Sequence, residues 1–301
     1  MADVFRAQRP FTSRDFPPAK KAFLIVEVFG YDKMLPTVMS RDAFNNRTCP
    51  FAGNQCEKFL QYGYGYCSVE YKSKYDRESV VYAVCDHRLD GGPVQHAVRD
   101  HFDDISNVRI VGELKFTNPD QSFDYVAIDP NSNDFVVVET QAIDLRGGGV
   151  GPAWLGIFEG HPADWRALYS AEANRKGRKD NVAYGVNMAN ITKRLGLQVA
   201  EKASLLKGIG AKLYVVAQDR CFDYLRSRIR ANWNMRKQDA WDIAFVTFEY
   251  DGDISPDGIH NVVYRQTSRT DYSSFSSALA TSTSVISRQD FVRRVREKGG
   301  L

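Results

Sequence analysis

Two strand-like runs, 123–128 and 135–143, flank Asp129-Pro130-Asn131-Ser132-Asn133-Asp134, a segment with the composition of a turn. A turn centred between Asn131 and Ser132 makes an antiparallel hairpin in which Asp124 faces Glu139. Opposed side chains on one face have Cβ atoms roughly 5 Å apart, and strand alternation puts Gln141 on the same face as Glu139. Two carboxylates so placed repel each other unless a hard cation stands between them, and oxygen ligands of this kind suit Mg²⁺. Such a cation lowers the pKa of a bound water and stabilises charge on a phosphoryl oxygen, so the chemistry expected is phosphodiester hydrolysis. Glu113, on the preceding strand, is a further candidate ligand, although Lys115 and Arg109 offer it ion-pair partners. The competing reading makes these acids the solvated outer face of an edge hairpin.

Cysteines form the second constellation. Cys49, Cys56, Cys67 and Cys85 leave gaps of six, ten and seventeen residues in a stretch rich in Gly, Tyr and polar residues. Four thiolates make a tetrahedral site for Zn²⁺ or a single iron, and a structural metal would staple a segment with little core of its own. The spacing lacks a C-x-x-C pair, so buried free thiols remain the alternative. His87 is a possible substitute ligand, and Cys221 reads as a packing residue at a helix start.

The elements that must carry these groups follow from periodicity. A strand is expected at 22–29 and no sustained helix between 42 and 88. Pro93 opens a helix with apolar residues at three- and four-residue spacing. Strands follow at 108–116, 123–128 and 135–143. A long helix is read over 183–207, capped at Asn181, with Tyr184, Met188, Ile191, Leu195, Val199, Ala203 and Leu206 on one face. A buried strand at 213–217 precedes a helix carrying Phe222, Leu225, Ile229 and Trp233, and a strand covers 241–250. The Ser/Thr-rich stretch 273–287 reads as a loop. From Pro93 the order is αβββαβ, giving an α/β protein divided into an N-terminal arm and cysteine region, 1–90, and a catalytic and DNA-binding region, 91–301.

The chain has 301 residues, 43% hydrophobic and 26% charged, which excludes a disordered or collagenous chain. Its apolar runs are far shorter than the roughly 20 residues of a membrane span, and the opening residues have no apolar export segment, so a cytoplasmic protein without disulfides is expected. A net charge of +3 names no polyanionic partner by itself. Local basic groups therefore matter: an arm with Arg6, Arg9, Arg14, Lys20 and Lys21, a run at 175–179, a cluster at 226–237, and Arg146 beside Gly147, Gly148 and Gly149. Arg146, directly after the candidate catalytic strand, is the one expected to bind DNA.

Several stretches together resemble the NotI-like type II restriction endonucleases. They are EVFGYDKMLP at 27–36, TCPF at 48–51, GYC ending at Cys67, VCDHRLD at 84–90, GEL at 112–114, SFDY at 122–125 and VETQAIDLRG at 138–147, in the family's order. The resemblance covers the first half of the chain, and the second half only by architecture. It implies a PD-(D/E)xK nuclease core, a mixed sheet flanked by helices, with Asp124, Glu139 and Gln141 as the signature residues and Glu113 in support. Gln then stands where the signature usually has Lys. It also implies iron at Cys49, Cys56, Cys67 and Cys85, Mg²⁺-dependent cleavage of double-stranded DNA at a GC-rich palindrome containing GGCC, with CGGCCG the first guess, and a homodimer to cut both strands. A repair or structure-specific nuclease on the same fold, and a non-catalytic DNA-binding module built on the cysteines, are the alternatives.

Overall fold

The computed structural model describes residues 25–33, 35, 37–72, 76–118, 120–146, 154, 185–281 and 288–299. The basic arm, the 147–149 glycines, the run at 175–179 and Asn181 lie outside them.

A six-stranded mixed sheet forms the centre, in the order β14-β13-β12-β9-β8-β7. Its strands are β7 (Arg109–Thr117), β8 (Asp120–Ile128), β9 (Phe135–Gln141), β12 (Lys212–Gln218), β13 (Ile243–Ile254) and β14 (His260–Thr270). β9, β12 and β13 run parallel, and the others pair antiparallel. The parallel strands carry near-continuous apolar runs because both faces are covered. On β12, Leu213 and Val215 face one core while Tyr214 and Val216 face the other.

Helix α3 (Gly92–His101) lies over one face, anchored by Val94, Ala97 and Val98, with Pro93 in its first turn. The other face is covered by α4 (Gly196–Gly208) and α5 (Asp219–Arg228), whose buried residues include Val199, Ala203, Leu206, Phe222 and Leu225. The expected order αβββαβ is present as α3-β7-β8-β9-α4-β12. Two-residue strands β10 (Leu145–Arg146) and β11 (Gly185–Val186) pair between β9 and α4.

The cysteine segment is more regular than its composition suggests. β1 (Ile25–Val28), β2 (Tyr31–Asp32), β5 (Tyr66–Tyr71) and β6 (Val80–Ala83) form a four-stranded antiparallel sheet. The short pair β3 (Thr48–Cys49) and β4 (Asn54–Gln55) lies between α1 (Val38–Asn46) and α2 (Glu57–Tyr62). Helices were not expected here. Thr37 caps α1 by accepting the Ser40 N–H, and left-handed residues Arg47 and Gly63 end α1 and α2. Trp154, fully buried, meets the rings of Phe29, Phe59 and Tyr64 at 5.8, 6.2 and 6.4 Å.

Buried polar contacts join this sheet to the central one. Arg88 donates to Glu27 at 2.9 Å and to the His260 carbonyl, and Tyr250 donates to the other Glu27 oxygen at 2.9 Å. Gln218 bridges the Ala83 N–H and the Val81 carbonyl.

Three expectations need correction. The long helix does not begin at 183: Gly185 and Val186 are strand, and helical structure starts at Met188, passes through a π-type turn at Ile191–Leu195 and continues as α4. Ile229 and Trp233 lie beyond the end of α5 at Arg228. Within the Ser/Thr-rich stretch, Tyr272–Thr281 is a helix, α6. Asp271 accepts the Ser274 N–H at its start, and fully buried Phe275 anchors it, so a cap and one aromatic outweigh the composition. A last helix, α7, spans Arg288–Gly299.

Candidate functional site

The β8–β9 hairpin has the predicted register, running from Ile128 opposite Phe135 to Tyr125 opposite Val138. The next pair is Asp124 and Glu139, and there carboxylates replace the regular ladder. Asp124 Oδ2 accepts the Thr140 N–H at 2.9 Å and its hydroxyl at 3.4 Å, while the Asp124 N–H donates to Glu139 Oε1 at 3.4 Å. The strands open where the two acids meet, leaving both carboxylates half-buried.

Glu139 has a partner that the sequence reading did not find. Lys202 Nζ, from α4, donates to Glu139 Oε2 at 2.5 Å, with side-chain exposures of 14% for the lysine and 13% for the glutamate. Burial and the charge of Asp124 push the Glu139 carboxyl up to about 7, and Lys202 pulls it back. The signal was present: 199, 202, 203 and 206 follow helical spacing, so Lys202 interrupts the buried stripe of Val199, Ala203 and Leu206.

Asp124 and Glu113 border a cleft of about 630 Å³ between the hairpin and the cysteine region, with Lys58, Tyr62, Tyr64, Tyr66, Cys85 and Asp86 on the opposite wall. Glu113 sits on β7 in a left-handed conformation, φ 48°, within a continuous register in which Gly112 pairs with Tyr125 and Leu114 with Phe123. It is exposed and pairs with Lys115 at 3.3 Å, one of the partners its local sequence offered.

Gln141 follows a different path. Its amide donates to the Ala142 carbonyl at 2.5 Å and lines a neighbouring crevice of about 220 Å³ with Asp86, Asp144 and Arg194. The structure therefore brings Asp124 and Glu139 together, with Glu113 on the cleft wall and Gln141 turned away from them. Asp86 was also missed. Its carboxylate borders both cavities and accepts the Ala142 N–H at 2.6 Å. Burial raises its pKa, the Ala142 N–H opposes the rise, and the charge of Asp124 adds to it.

The four cysteines of the N-terminal region approach one another. Cys67 and Cys85 share a hydrogen bond that holds the Cys85 thiol down and drives Cys67 up, and burial raises Cys49 and Cys56. Backbone N–H groups point at the sulfurs: Gly30 at Cys67 Sγ, 3.2 Å, Phe51 and Ala52 at Cys49, and Phe59 at Cys56. Gly30 is required there, because its φ is 87° and an added Cβ would lie 2.5 Å from the Pro50 ring. Among the described residues no group of three or more His, Cys, Asp or Glu side chains is arranged as a ready metal site. His87 is engaged by Asp90 at 2.6 Å and Glu57 at 3.4 Å, and Cys221 is buried in the main core.

Of the basic candidates, Arg226, Arg236 and Lys237 pair with Asp223, Asp239 and Asp103. The backbone of Arg146 pairs with Gly185 in the β10–β11 ladder. No described helix is long and apolar enough to cross a membrane. A scan of the sequence against protein-family profiles and a search of the curated proteins return no match.

Proposed function

We propose that this chain is a Mg²⁺-dependent, site-specific DNA endonuclease of the type II restriction class, with a PD-(D/E)xK core, acting as a cytoplasmic homodimer on a GC-rich palindrome. The observation that carries this reading is the meeting of Asp124 and Glu139 where the hairpin ladder opens, beside a cleft that Glu57, Asp86, Asp90, Glu113 and Asp144 also line, against one lysine, Lys58. A cleft of that charge repels a phosphate backbone unless cations fill it.

Asp124 and Glu139 are the proposed ligands of a divalent cation: they meet across the open end of the hairpin, and Glu139 is raised by burial first and by the charge of Asp124 second. Mg²⁺ bound there would supply Lewis acidity for attack of water on phosphorus. The bond from water oxygen to phosphorus forms and the bond to the 3′-oxygen breaks, giving a 5′-phosphate and a 3′-hydroxyl. The chain's own residues prepare this step. The Thr140 N–H fixes Asp124, and the Asp124 N–H and Lys202 take one oxygen each of Glu139. Glu113, on the cleft wall, is the proposed supporting acid, and Gln141, bonded to the Ala142 carbonyl, the proposed orienting neighbour of this strand end.

Cys49, Cys56, Cys67 and Cys85 are the proposed ligands of an iron, or of Zn²⁺; the N–H groups aimed at three of the sulfurs, which favour thiolate charge, support this. The metal would cross-link a region otherwise held by short elements. Arg146, at the exit from the catalytic strand, is the proposed DNA contact.

The test is incubation of the purified protein with a fully sequenced GC-rich plasmid, with Mg²⁺ and with EDTA, followed by sequencing of fragment ends. Discrete Mg²⁺-dependent ends at one palindrome containing GGCC are expected. Scattered ends would indicate a nuclease without sequence reading, and intact DNA in a stable complex would indicate a binding module.

A further inference from the structure

We propose that Lys202 is the fixed cation of the Asp124–Glu139 site, entering from helix α4 to hold Glu139 and set the charge that the site presents. The proposal rests on the endonuclease reading and deepens it.

Three observations converge on this lysine. First, Lys202 Nζ lies 2.5 Å from Glu139 Oε2 and 5.4 Å from the centre of the Phe123 ring, so the ammonium is held between a carboxylate and an aromatic face. Second, its helix is firmly seated: Val199, Ala203 and Leu206 are buried, and an added Cβ on Gly196 would come within 3.1 Å of Leu279 and 3.3 Å of Ile229. The long side chain thus projects from a rigid base. Third, the strand position two residues past Glu139 carries an uncharged amide, and that amide is turned onto the Ala142 carbonyl.

A lysine in an otherwise apolar helical stripe is costly to desolvate and is retained only beside a compensating charge. Here the charge is a proposed metal ligand. Lys202 therefore acts through Glu139 as a positioning residue. It opposes a divalent cation at Glu139 by like charge, and it adds positive potential where negative charge grows on a phosphoryl group.

These two effects have opposite signs, which a mere structural ion pair does not share. In the full-length protein, Lys202→Gln is expected to bind Ca²⁺, used as a non-cleaving probe in calorimetry, several-fold more tightly than the parent. The same variant should lose about 100-fold in kcat with little change in KM for DNA. Lys202→Arg should retain most of the activity, and adding Gln141→Lys to Lys202→Gln should recover about tenfold. If the parent cleaves DNA and Lys202→Gln cleaves equally fast, the Lys202 proposal falls and the endonuclease stands. If Lys202→Gln merely lowers the melting temperature and weakens Ca²⁺ binding, the lysine is structural and the proposal is overturned. Should the parent cleave no DNA, the endonuclease reading fails by itself, and unchanged Ca²⁺ affinity between parent and variant then removes the proposal too.

Discussion

The carboxylate of Asp86 accepts the backbone N–H of Ala142 at 2.6 Å, so the residue after Cys85 holds the residue after Gln141. One hydrogen bond thus connects the cysteine region to the end of the strand that bears Glu139. Asp86→Ala removes that acceptor and leaves the Ala142 N–H without it. Loss of an orienting contact of this kind costs about 10- to 100-fold in activity. Cleavage by Asp86→Ala at the parental rate would show that this bond does not set the position of the strand end.

Asp124→Asn keeps the shape of the side chain and removes its charge. Cleavage is expected to fall by at least about 1000-fold, because a proposed cation loses one of two carboxylates. Circular dichroism should be unchanged. Glu113→Gln, at an exposed position paired with Lys115, should lose about tenfold or less. Equal losses for the two variants would make Glu113 a ligand in its own right.

The Glu139 carboxyl sits at about 7 instead of the ordinary 4.5, owing to burial first and Asp124 second. A carboxyl raised in the fold contributes stability below its unfolded value and loses that contribution as pH rises through the folded one. Cation binding requires the ionised form and releases the proton. The apparent affinity for Mg²⁺ should therefore climb about tenfold per pH unit below 7 and level off above it. Calorimetry at several pH values reads this directly, and a flat profile below 7 would take Glu139 out of the ligand set.

Glu27 and Arg88 are fully buried, at 0% and 3% exposure, with Tyr250 completing the network. Glu27→Gln leaves Arg88 without its counter-charge and should cost about 3 kcal/mol in a urea titration. A loss below about 1 kcal/mol would mean that water reaches the guanidinium.

Cys67→Ser should release the metal proposed for the cysteine cluster and lower the melting temperature. Cys221→Ser, in the main core, should leave metal content as it is. Elemental analysis of both variants separates the two roles, and equal metal content in both would point to four free thiols.

The hairpin was legible because a turn composition between two β-rich runs fixes register, and register alone sets Asp124 against Glu139. Chain order was legible from periodicity at α3, β7, β8, β9 and β12. β5 and β6 were not, since YCSVEY and VVYA are short and their identity as strands comes from pairing with each other and β1. β14 escaped notice because a register shift between Gln266 and Tyr264 leaves Tyr264 and Arg265 exposed in succession and breaks the alternation. Asp86 was hidden because it reaches the site from an element 56 residues from Ala142, and Lys202 showed only as a break in a helical stripe, its partner Glu139 lying 63 residues away.

The aromatic cluster around Trp154 gives the molecule a built-in optical probe. Trp154 touches Phe29 and Phe59, one beside Gly30 and the other donating its N–H to Cys56, whereas Trp233 packs on Phe222, Phe245 and Phe275 in the main core. Loosening of the cysteine region would redden and dim Trp154 emission while Trp233 stayed dry, so fluorescence can follow the two parts of the chain as they come apart in sequence or together.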